Sequence, residues 1–241
     1  KELQEKQRIV EDQYQKLQQV EREKGEFLAM ITHELKTPLV PIKGYAELLL
    51  SEKLGKLEEG QKKRIEIINK SSDTLLKLIN DLLDNQKIEL GKLKLVKEQL
   101  DLGNVIIETL EKFKQTISAK SITVSMNIKN DVSIYGDRIR LEQVLQNIIL
   151  NAIDFVSETD GKLDVTLISD DEYASVSIKD NGIGIPQDKL NKLFERFYQI
   201  DASYTREHGG SGLGLSICKA IIDKHDGIIG VHSEGKGNGA T

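Results

Sequence analysis

The sequence predicts a multidomain chain: an all-α antiparallel helical hairpin, forming a dimeric four-helix bundle with a second copy, followed by an α+β sandwich. Three observations predict this. Apolar residues first recur at three-, four- or seven-residue spacing, as on a helix face, and after residues 87–92 they alternate as in strands. The strand-like segments are mixed with helical ones, without a regular β-α-β rhythm. We therefore expect helices packed on one mixed sheet, with a domain boundary near Gly91.

Residues 1–26 consist almost entirely of Glu, Lys, Gln and Arg and are expected to form an N-terminal helix that enters a coiled coil. Leu3, Val10 and Leu17 recur at seven-residue spacing, but most intervening heptad positions are polar, so the coiled coil is marginal. A solvated helical linker without a partner is the alternative.

Residues 27–90 are predicted to form the helical hairpin. One apolar stripe on each helix marks the face that packs: Phe27, Ile31, Leu35, Ile42, Tyr45 and Leu49 on the first, and Ile65, Ile68, Leu75, Ile79 and Leu82 on the second. Two glycines within residues 51–60 separate the helices. Because one hairpin leaves its stripes half covered, we expect a homodimer.

The second domain, residues 91–241, is predicted from its alternating and periodic segments. The expected strands cover 92–102, 121–128, 162–170 and 173–180, with a hairpin over 163–180, and the expected helices cover 103–119, 137–156, 187–197 and 212–226.

The composition narrows the classes of partner and compartment. The 34 Lys and Arg against 39 Asp and Glu give a net charge of −5, which argues against a nucleic-acid partner. The apolar runs are too short to cross a bilayer, so we expect no membrane contact within this segment and a cytoplasmic location. The single Cys218 excludes an internal disulfide and fits a reducing compartment. Because the chain begins at Lys1, an upstream sensor domain is expected outside it.

His33 stands out because it lies about 200° round the predicted helix from the apolar stripe, on the solvent face. Thr37, at i+4, shares that face, and the adjacent Glu34 can hold one ring nitrogen so that the other is free to attack. Pro38 lacks an N–H and is expected to loosen the helix beside His33. On periodicity alone, an exposed histidine without a function would be the alternative.

Three further motifs point to a nucleotide. In "QNIILNAIDF" (146–155), Asn147 and Asn151 share one helical face, where amide oxygens can meet a hydrated Mg²⁺. In "DNGIGIP" (180–186), Asp180 offers a carboxylate directly after a strand. Gly182 and Gly184 in the same motif are expected to let backbone approach a ligand closely.

The third motif is "GGSGLGL" (209–215), which opens the predicted helix 212–226. Glycine-rich backbone at a helix N-terminus presents free N–H groups to phosphates. Taken singly, each motif has an ordinary interpretation: the asparagines as caps or solvated residues, "DNGIG" as a common turn, and G-x-G as a weak signal.

Together the motifs carry a family resemblance. "HELKTP" after "FLAMIT" resembles the phosphoacceptor box of sensor histidine kinases of two-component systems. The later motifs, with "FERF" (194–197), resemble the asparagine, glycine and phenylalanine boxes of their catalytic domain, whose Bergerat fold is shared with gyrase, heat-shock-90 and MutL-type ATPases. The resemblance covers about residues 27–239.

The resemblance implies that His33 is autophosphorylated from ATP, that Glu34 is the assisting base, and that Thr37 positions water when the domain dephosphorylates a response-regulator receiver. It also implies ATP and Mg²⁺ contacts, with Asn147 and Asn151 as the metal residues and Asn151 the direct ligand. The implied nucleotide-binding residues are Asn147, Asn151, Asp180 for the adenine amino group, Gly182, Gly184, Arg196, Gly210, Gly212, Leu213 and Gly214, with residues 198–211 as a lid. Residues 1–26 would transmit the input signal.

Two positions depart from the family pattern. Asp154 stands where many relatives carry a lysine, and it is expected to repel phosphate. Gln199 stands where many carry an arginine. Arg196, Arg206 or His208 are the expected substitutes for the missing positive charges.

Three other functions stay open at this point. A gyrase- or MutL-like ATPase would need a glutamate base where this chain has Asn147. A non-catalytic dimeric signalling scaffold with a degenerate nucleotide domain is motivated by Asp154 and Gln199. Dominant phosphatase activity is permitted by Thr37. The sequence does not distinguish phosphorylation within a protomer from phosphorylation between protomers.

Overall fold

The computed structural model describes residues 2–157, 159–170, 172–200 and 211–241, excluding the side chains of Glu2 and Glu21. The chain divides into two compact units, Lys1–Leu93 and Lys94–Thr241. The first is helical and the second combines helices with strands. The predicted succession of a helical hairpin and an α+β sheet domain is confirmed. No helix in the described ranges combines the length and apolarity that a membrane span requires.

The first unit consists of α1 (Glu2–Leu50) and α2 (Glu59–Glu89). The predicted N-terminal helix and the first hairpin helix are thus one continuous helix, which passes through Pro38 and Pro41. A proline nitrogen cannot donate to the carbonyl four residues earlier, so the carbonyls of Glu34 and Thr37 lose their usual intrahelical partners. The weakened stretch of α1 therefore begins directly after His33.

The predicted apolar stripe of α1 is not its buried face. Its members, from Phe27 to Leu49, are 36–68% exposed. The buried α1 residues are Gly25, Thr32 and Ala46, at multiples of seven residues. A Cβ on Gly25 would lie 3.0 Å from Leu90 Cδ1, so a small residue is needed there. The large apolar side chains stay exposed because the hairpin alone provides no surface to cover them.

Polar contacts also join the two helices. Lys43 Nζ lies 2.6 Å from Asp73 Oδ1, and Lys36 Nζ donates to Asn80 Oδ1 at 3.4 Å. The hydrogen bond with Asp73 raises the pKa of Lys43. These pairs bring residues of α1 and α2 into a fixed register along the hairpin.

The second unit carries five strands and five helices within the described residues. In chain order they are β1 (Glu98–Asp101), α3 (Leu102–Lys112), α4 (Lys114–Ala119), β2 (Thr123–Ile128), β3 (Ser133–Gly136), α5 (Arg138–Phe155), β4 (Lys162–Ser169), β5 (Ala174–Asp180), α6 (Gln187–Leu190) and α7 (Gly214–Lys224).

The strands form one mixed sheet and one ribbon. The sheet has the order β2-β4-β5, with β2 parallel to β4 and β4 antiparallel to β5, so the predicted hairpin over 163–180 is confirmed. β1 and β3 pair antiparallel. Alternate residues of β4 point to the core, where Leu163, Val165 and Leu167 pack with Ile149 and Ile153 of α5. This packing places the carboxyl end of β5 beside the end of α5.

Several predicted boundaries were wrong. The helix predicted over 187–197 ends at Leu190, and the residues after it form turns, with Phe197 in the left-handed conformation at φ +59°. The helix predicted over 103–119 is divided at Phe113. The strand predicted over 92–102 is confined to β1, and β3 was not predicted because its residues Ser-Ile-Tyr-Gly do not alternate between apolar and polar.

Ile149→Ala should lower the free energy of unfolding of the second unit by about 2–5 kcal/mol, because Ile149 is fully buried and its truncation leaves a cavity. Urea denaturation followed by circular dichroism measures this. Ile139→Ala in the same helix is the control, since Ile139 is 77% exposed and should change stability by less than about 0.5 kcal/mol. Equal losses in the two variants would contradict the assigned core.

Candidate functional site

His33 lies on the surface of α1 with its side chain 80% exposed, as the sequence predicts. Its Nδ1 is 3.8 Å from Glu34 Oε1, and the Glu34 side chain is also exposed. A small rotation of either side chain would bring these atoms into hydrogen-bond distance. The other ring nitrogen has no hydrogen-bond partner among the described residues and is open to a reagent from solution.

The Thr37 hydroxyl donates to the His33 backbone carbonyl at 2.9 Å. This bond places the Thr37 oxygen one helical turn from His33, on the predicted face. Its lone pairs remain available to accept a hydrogen bond, for example from water. The structure therefore brings His33, Glu34 and Thr37 together on one exposed patch of α1.

Asp180 is the last residue of β5, and two backbone N–H groups hold its carboxylate. Oδ1 accepts from Gly182 N at 2.8 Å and from Ala240 N at 3.3 Å. Asp180 N donates in turn to Ala240 O at 2.9 Å. Oδ2 has no hydrogen-bond partner within the part of the chain that the structure describes. The carboxylate thus presents one fixed oxygen and one oxygen open to a ligand.

The environment of Asp180 disfavours its charged form. Burial raises the pKa of the Asp180 carboxyl above its ordinary value, and the hydrogen bonds from Gly182 and Ala240 offset part of that rise. A half-buried carboxylate whose free oxygen lacks a donor gains from any ligand that supplies an N–H.

Gly182 and Gly184 are required by protein contacts, which differ from the close ligand approach that the sequence predicts. A Cβ on Gly182 would lie 1.9 Å from Phe155 O, at the end of α5. Gly184 has φ +65°, and a Cβ there would lie 2.0 Å from Gly235 O. The two glycines let the loop after β5 pack directly on backbone.

Residues 235–240 form the other side of this packing, and the sequence reasoning did not identify them. Gly237 N donates to Ile183 O at 2.7 Å and Gly239 N to Gly182 O at 3.1 Å. A Cβ on Gly239 would lie 2.0 Å from Asp180 O. The alternating glycines of "GKGNG" were the available signal.

Asn147 and Asn151 lie one helical turn apart on α5, but the first is buried and the second is exposed. Asn147 is buried and its Nδ2 donates to Cys218 Sγ on α7 at 3.7 Å. A Cβ on Gly214 would lie 3.6 Å from Asn147 Cγ, so Gly214 packs on this amide. Asn151, one turn later, is exposed. The structure thus joins the first asparagine to the glycine-rich segment and leaves the second open to solvent.

The N-terminus of α7 is joined to the "FERF" segment. Phe197 N donates to Gly212 O at 2.9 Å, and Gly212 has φ +69°. The buried Leu213 donates through its backbone N to Ser211 Oγ at 3.2 Å. α7 has no side-chain N-cap, so the amides of its first turn are available to an anion.

The remaining predicted residues are less informative. Arg196 is exposed. Gly210, Arg206 and His208 lie outside the described residues, as does all of the predicted lid 198–211 except its first three residues and its last.

Asp154 does not present the unpaired negative charge that the sequence predicts. Its Oδ1 lies 3.5 Å from Lys120 Nζ, and Lys120 also donates to Ile153 O at 2.9 Å. This ion pair offsets part of the negative charge of Asp154, so the repulsion of phosphate expected from Asp154 would be weaker than an unpaired carboxylate would give.

The donor set suits ATP with Mg²⁺. Mg²⁺ prefers oxygen ligands and retains several waters, which an exposed amide oxygen such as that of Asn151 can accommodate. No cluster of three His, Cys, Asp or Glu residues that could hold a metal occurs in the described ranges. A metal at this site would therefore be held by amide groups, water and the phosphates it accompanies.

Two family models match the chain. The His Kinase A (phospho-acceptor) domain matches residues 23–91, and the family of histidine kinase-, DNA gyrase B- and HSP90-like ATPases matches residues 136–241.

Curated relatives resemble nearly the whole chain. It is 37% identical over 224 residues to the signal transduction histidine-protein kinase BarA of Escherichia coli K12, which covers 90% of the chain and 24% of BarA. The circadian input-output histidine kinase CikA of Synechococcus elongatus is 36% identical, over 90% of the chain and 29% of CikA. The chain thus spans about a quarter of the length of these relatives.

The solved structures that resemble this chain include histidine kinases. Full-length ShkA in complex with AMPPNP aligns with a TM-score of 0.70 and 29% identity, covering 89% of this chain and 44% of ShkA. The catalytic domain of the histidine kinase ThkA aligns at 0.53 and 32% identity, covering 60% of this chain and 90% of that domain. ThkA in complex with the response regulator TrrA aligns at 0.58 and 28% identity, covering 90% of this chain and 59% of that one.

Gly182→Ala should destabilise the second unit by about 1–3 kcal/mol, because the added methyl would overlap Phe155 O, a backbone atom that cannot rotate away. Thermal unfolding followed by circular dichroism measures the loss. Gly230→Ala is the matched control, since a Cβ there meets nothing within 4 Å. If the control lost as much stability as Gly182→Ala, the steric account would be wrong.

Asp180→Asn should be more thermally stable than the wild type at pH 7. A raised folded-state pKa means that ionisation of Asp180 costs stability as pH rises through it, and Asn avoids this cost while still accepting at Oδ1. The difference should shrink as pH falls and vanish below the ordinary Asp value.

Asp170→Asn should behave in the opposite way. Backbone hydrogen bonds from Tyr173 and Glu172 lower the pKa of Asp170, so its ionised form contributes stability at pH 7. Melting temperatures between pH 3 and pH 7 compare the two variants. Destabilisation by both at pH 7 would contradict the account of Asp180.

Proposed function

The chain belongs to the histidine kinase family, and from that premise we propose that it is the core of a sensor kinase that phosphorylates His33 from ATP. The observation that carries the proposal is the combination, in one chain, of an exposed histidine paired with a carboxylate and a separate unit whose half-buried Asp180 lacks a donor on one oxygen. The first supplies a nucleophile and the second a site for an adenine base.

Two residues of α1 carry out the transfer: His33 is the nucleophile and Glu34 is the base. Glu34 accepts a hydrogen bond from Nδ1–H of His33, which leaves the Nε2 lone pair free to attack the γ-phosphorus in line with the leaving oxygen. The Nε2–P bond forms as the bond from phosphorus to the β-phosphate oxygen breaks, and ADP leaves. The Nδ1 proton passes to Glu34 as positive charge develops on the ring. High exposure of both side chains lets the nucleotide-bearing unit approach.

The second unit holds the nucleotide. Asp180 Oδ2 accepts from the adenine amino group, while Gly182, Gly184, Gly212, Leu213 and Gly214 give the pocket its shape. The phosphates would be held by the free amides of the α7 N-terminus and by Arg196. Asn147 and Asn151 hold the hydrated metal, with Asn151 as the direct ligand. Bound Mg²⁺ supplies positive charge that neutralises the developing negative charge on the phosphates.

The phosphoryl group is then transferred to an aspartate of a response-regulator receiver. The complex of the similar kinase ThkA with the response regulator TrrA supports a partner of this class. Thr37, whose hydroxyl lies on the His33 face, would position water for the reverse function, dephosphorylation of the regulator. The segments would be a signalling helix (1–26), a dimerisation and phosphotransfer domain (27–90) and a catalytic domain (91–241), on the cytoplasmic side of any upstream sensor.

A non-catalytic scaffold is less well supported than a kinase. Asp154 and Gln199 were the two reasons for it, and the pairing of Asp154 with Lys120 weakens the first.

The chain is proposed to be a homodimer. The exposed stripes of both hairpin helices include Leu35, Ile42, Ile68 and Leu75, each 43–48% exposed. Two hairpins that pack these stripes together form a four-helix bundle and remove the apolar surface from water.

The transfer reaction is tested by incubating the chain with Mg²⁺ and γ-labelled ATP, beside His33→Gln. Label on the wild type alone, lost in acid and kept in base, is expected for a phosphoramidate at His33. Label that survives acid, or that persists in His33→Gln, would contradict the proposal. An absence of label while ADP still binds would shift the assignment to the scaffold or phosphatase function.

Leu75→Glu should weaken the dimer at least about a hundredfold, because a carboxylate would be buried between apolar stripes. Sedimentation equilibrium measures the dissociation constant. Ile67→Glu is the control, since Ile67 is also a large apolar residue but is 65% exposed, against 43% for Leu75, and lies off the stripe. Dissociation of both variants, or of neither, would contradict the assigned dimer face.

A further inference from the structure

Ser233 is a buried hydroxyl for which the catalytic scheme has no role. It lies between α7 and the glycine loop 235–239, and it is 2% exposed. Its side chain is not on the surface of the nucleotide pocket as proposed, and none of the sequence motifs includes it. The hydrogen bonds of its hydroxyl, however, all connect to the two loops that hold Asp180.

The Ser233 hydroxyl uses its full hydrogen-bonding capacity. Oγ donates to Gly239 O at 2.6 Å, with Gly235 O a more distant acceptor at 3.4 Å. Oγ accepts from Ile185 N at 2.9 Å and from Gly235 N at 3.3 Å. One donor and two acceptor sites are all that a hydroxyl has. Ser233 therefore ties the loop after β5 to the glycine loop through a single atom.

This tie ends at the groups that hold the Asp180 carboxylate. Gly239, whose carbonyl accepts from Ser233, directly precedes Ala240, whose N–H donates to Asp180 Oδ1. The second donor to Oδ1, Gly182 N, lies in the loop that Ser233 holds through Ile185. Both donors occupy the same oxygen, so the carboxylate cannot rotate without losing one of them.

We infer that Ser233 is a positioning residue for base recognition, which acts through Asp180 and sets the preference for a purine that carries a 6-amino group. The inference rests on the proposed function, in which Asp180 Oδ2 accepts from that amino group. Without the Ser233 hydroxyl, Gly239 O and Ile185 N lose their hydrogen-bond partner. The two donors to Oδ1 are then less well fixed, and Oδ2 samples a wider range of orientations. Contacts to ribose and phosphates stay as they are.

The test compares two ligands that differ only in the group read by Asp180. Dissociation constants of the full chain for ADP and for purine riboside diphosphate, which lacks the 6-amino group, are measured by calorimetry. In Ser233→Ala, ADP should bind about tenfold more weakly, whereas purine riboside diphosphate should change by less than about twofold. The ratio of the dissociation constant for purine riboside diphosphate to that for ADP therefore falls toward one.

Two control variants make this readout specific. Thr109→Val removes another fully buried hydroxyl of the same unit, one that donates to Val105 O at 2.7 Å, and it should leave the preference for ADP unchanged. Ser233→Cys replaces the hydroxyl with a slightly larger thiol that donates and accepts weakly, so it should give an intermediate preference. If Ser233→Ala does not fold, the ADP preference of Ser233→Cys tests the role of Ser233.

The outcomes separate the inference from the function it rests on. If Asp180→Asn keeps the wild-type preference for ADP, the proposed contact between Asp180 and the base is wrong. If Asp180→Asn loses the preference while folded Ser233→Ala or Ser233→Cys keeps it, the function stands and the role of Ser233 is overturned. Equal weakening of both ligands by the Ser233 variants would likewise overturn it, since that is general damage to the pocket.

Discussion

The close contact between the loop after β5 and the glycine loop 235–239 is the constraint on which the nucleotide half of the structure depends. Backbone meets backbone there, with Gly184 against Gly235 O and Gly239 against Asp180 O at separations that no side chain permits. The contact supplies the two N–H groups that fix Asp180 Oδ1. A half-buried carboxylate lowers the stability of the fold when it is ionised. Here two backbone donors hold Asp180 in one orientation, and its second oxygen stays available to a donor group of a ligand.

In the helical unit the reactive group is exposed, in contrast to the half-buried Asp180 of the second unit. His33 and Glu34 stand on α1 with little around them, just before two prolines that remove backbone hydrogen bonds. A nucleophile so placed cannot select its own substrate, so selectivity must come from the unit that binds the nucleotide and from the surfaces that pair with the hairpin. The apolar stripes of the hairpin stay exposed while only small residues of α1, Gly25, Thr32 and Ala46, are buried, which supports the proposed dimer.

The sequence predicted best those features that repeat over many residues or that sit in long motifs. α5, β4, β5 and both hairpin helices carry clear periodicity, and the exposure of His33 followed from its position on the wheel. It predicted less well where tertiary contacts decide. The apolar stripe of α1 was predicted to be half covered in one hairpin, as it is, but the small residues that pack within the hairpin, Gly25, Thr32 and Ala46, gave no apolar signal in the sequence. The helix after Pro186 was overextended because Phe197 bonds to Gly212 instead of continuing it. The contacts of Gly182 and Gly184 with backbone atoms of the chain itself could not be predicted from the motif, and Lys120 could not be matched to Asp154 across 34 residues of sequence.

The most direct test of the account is a crystal structure of the chain with a non-hydrolysable ATP analogue and Mg²⁺. The account predicts the adenine amino group within hydrogen-bond distance of Asp180 Oδ2, with Oδ1 still held by Gly182 N and Ala240 N, and the phosphates at the N-terminus of α7. A base bound elsewhere, or an Asp180 carboxylate that has left its two backbone donors to reach the base, would contradict it.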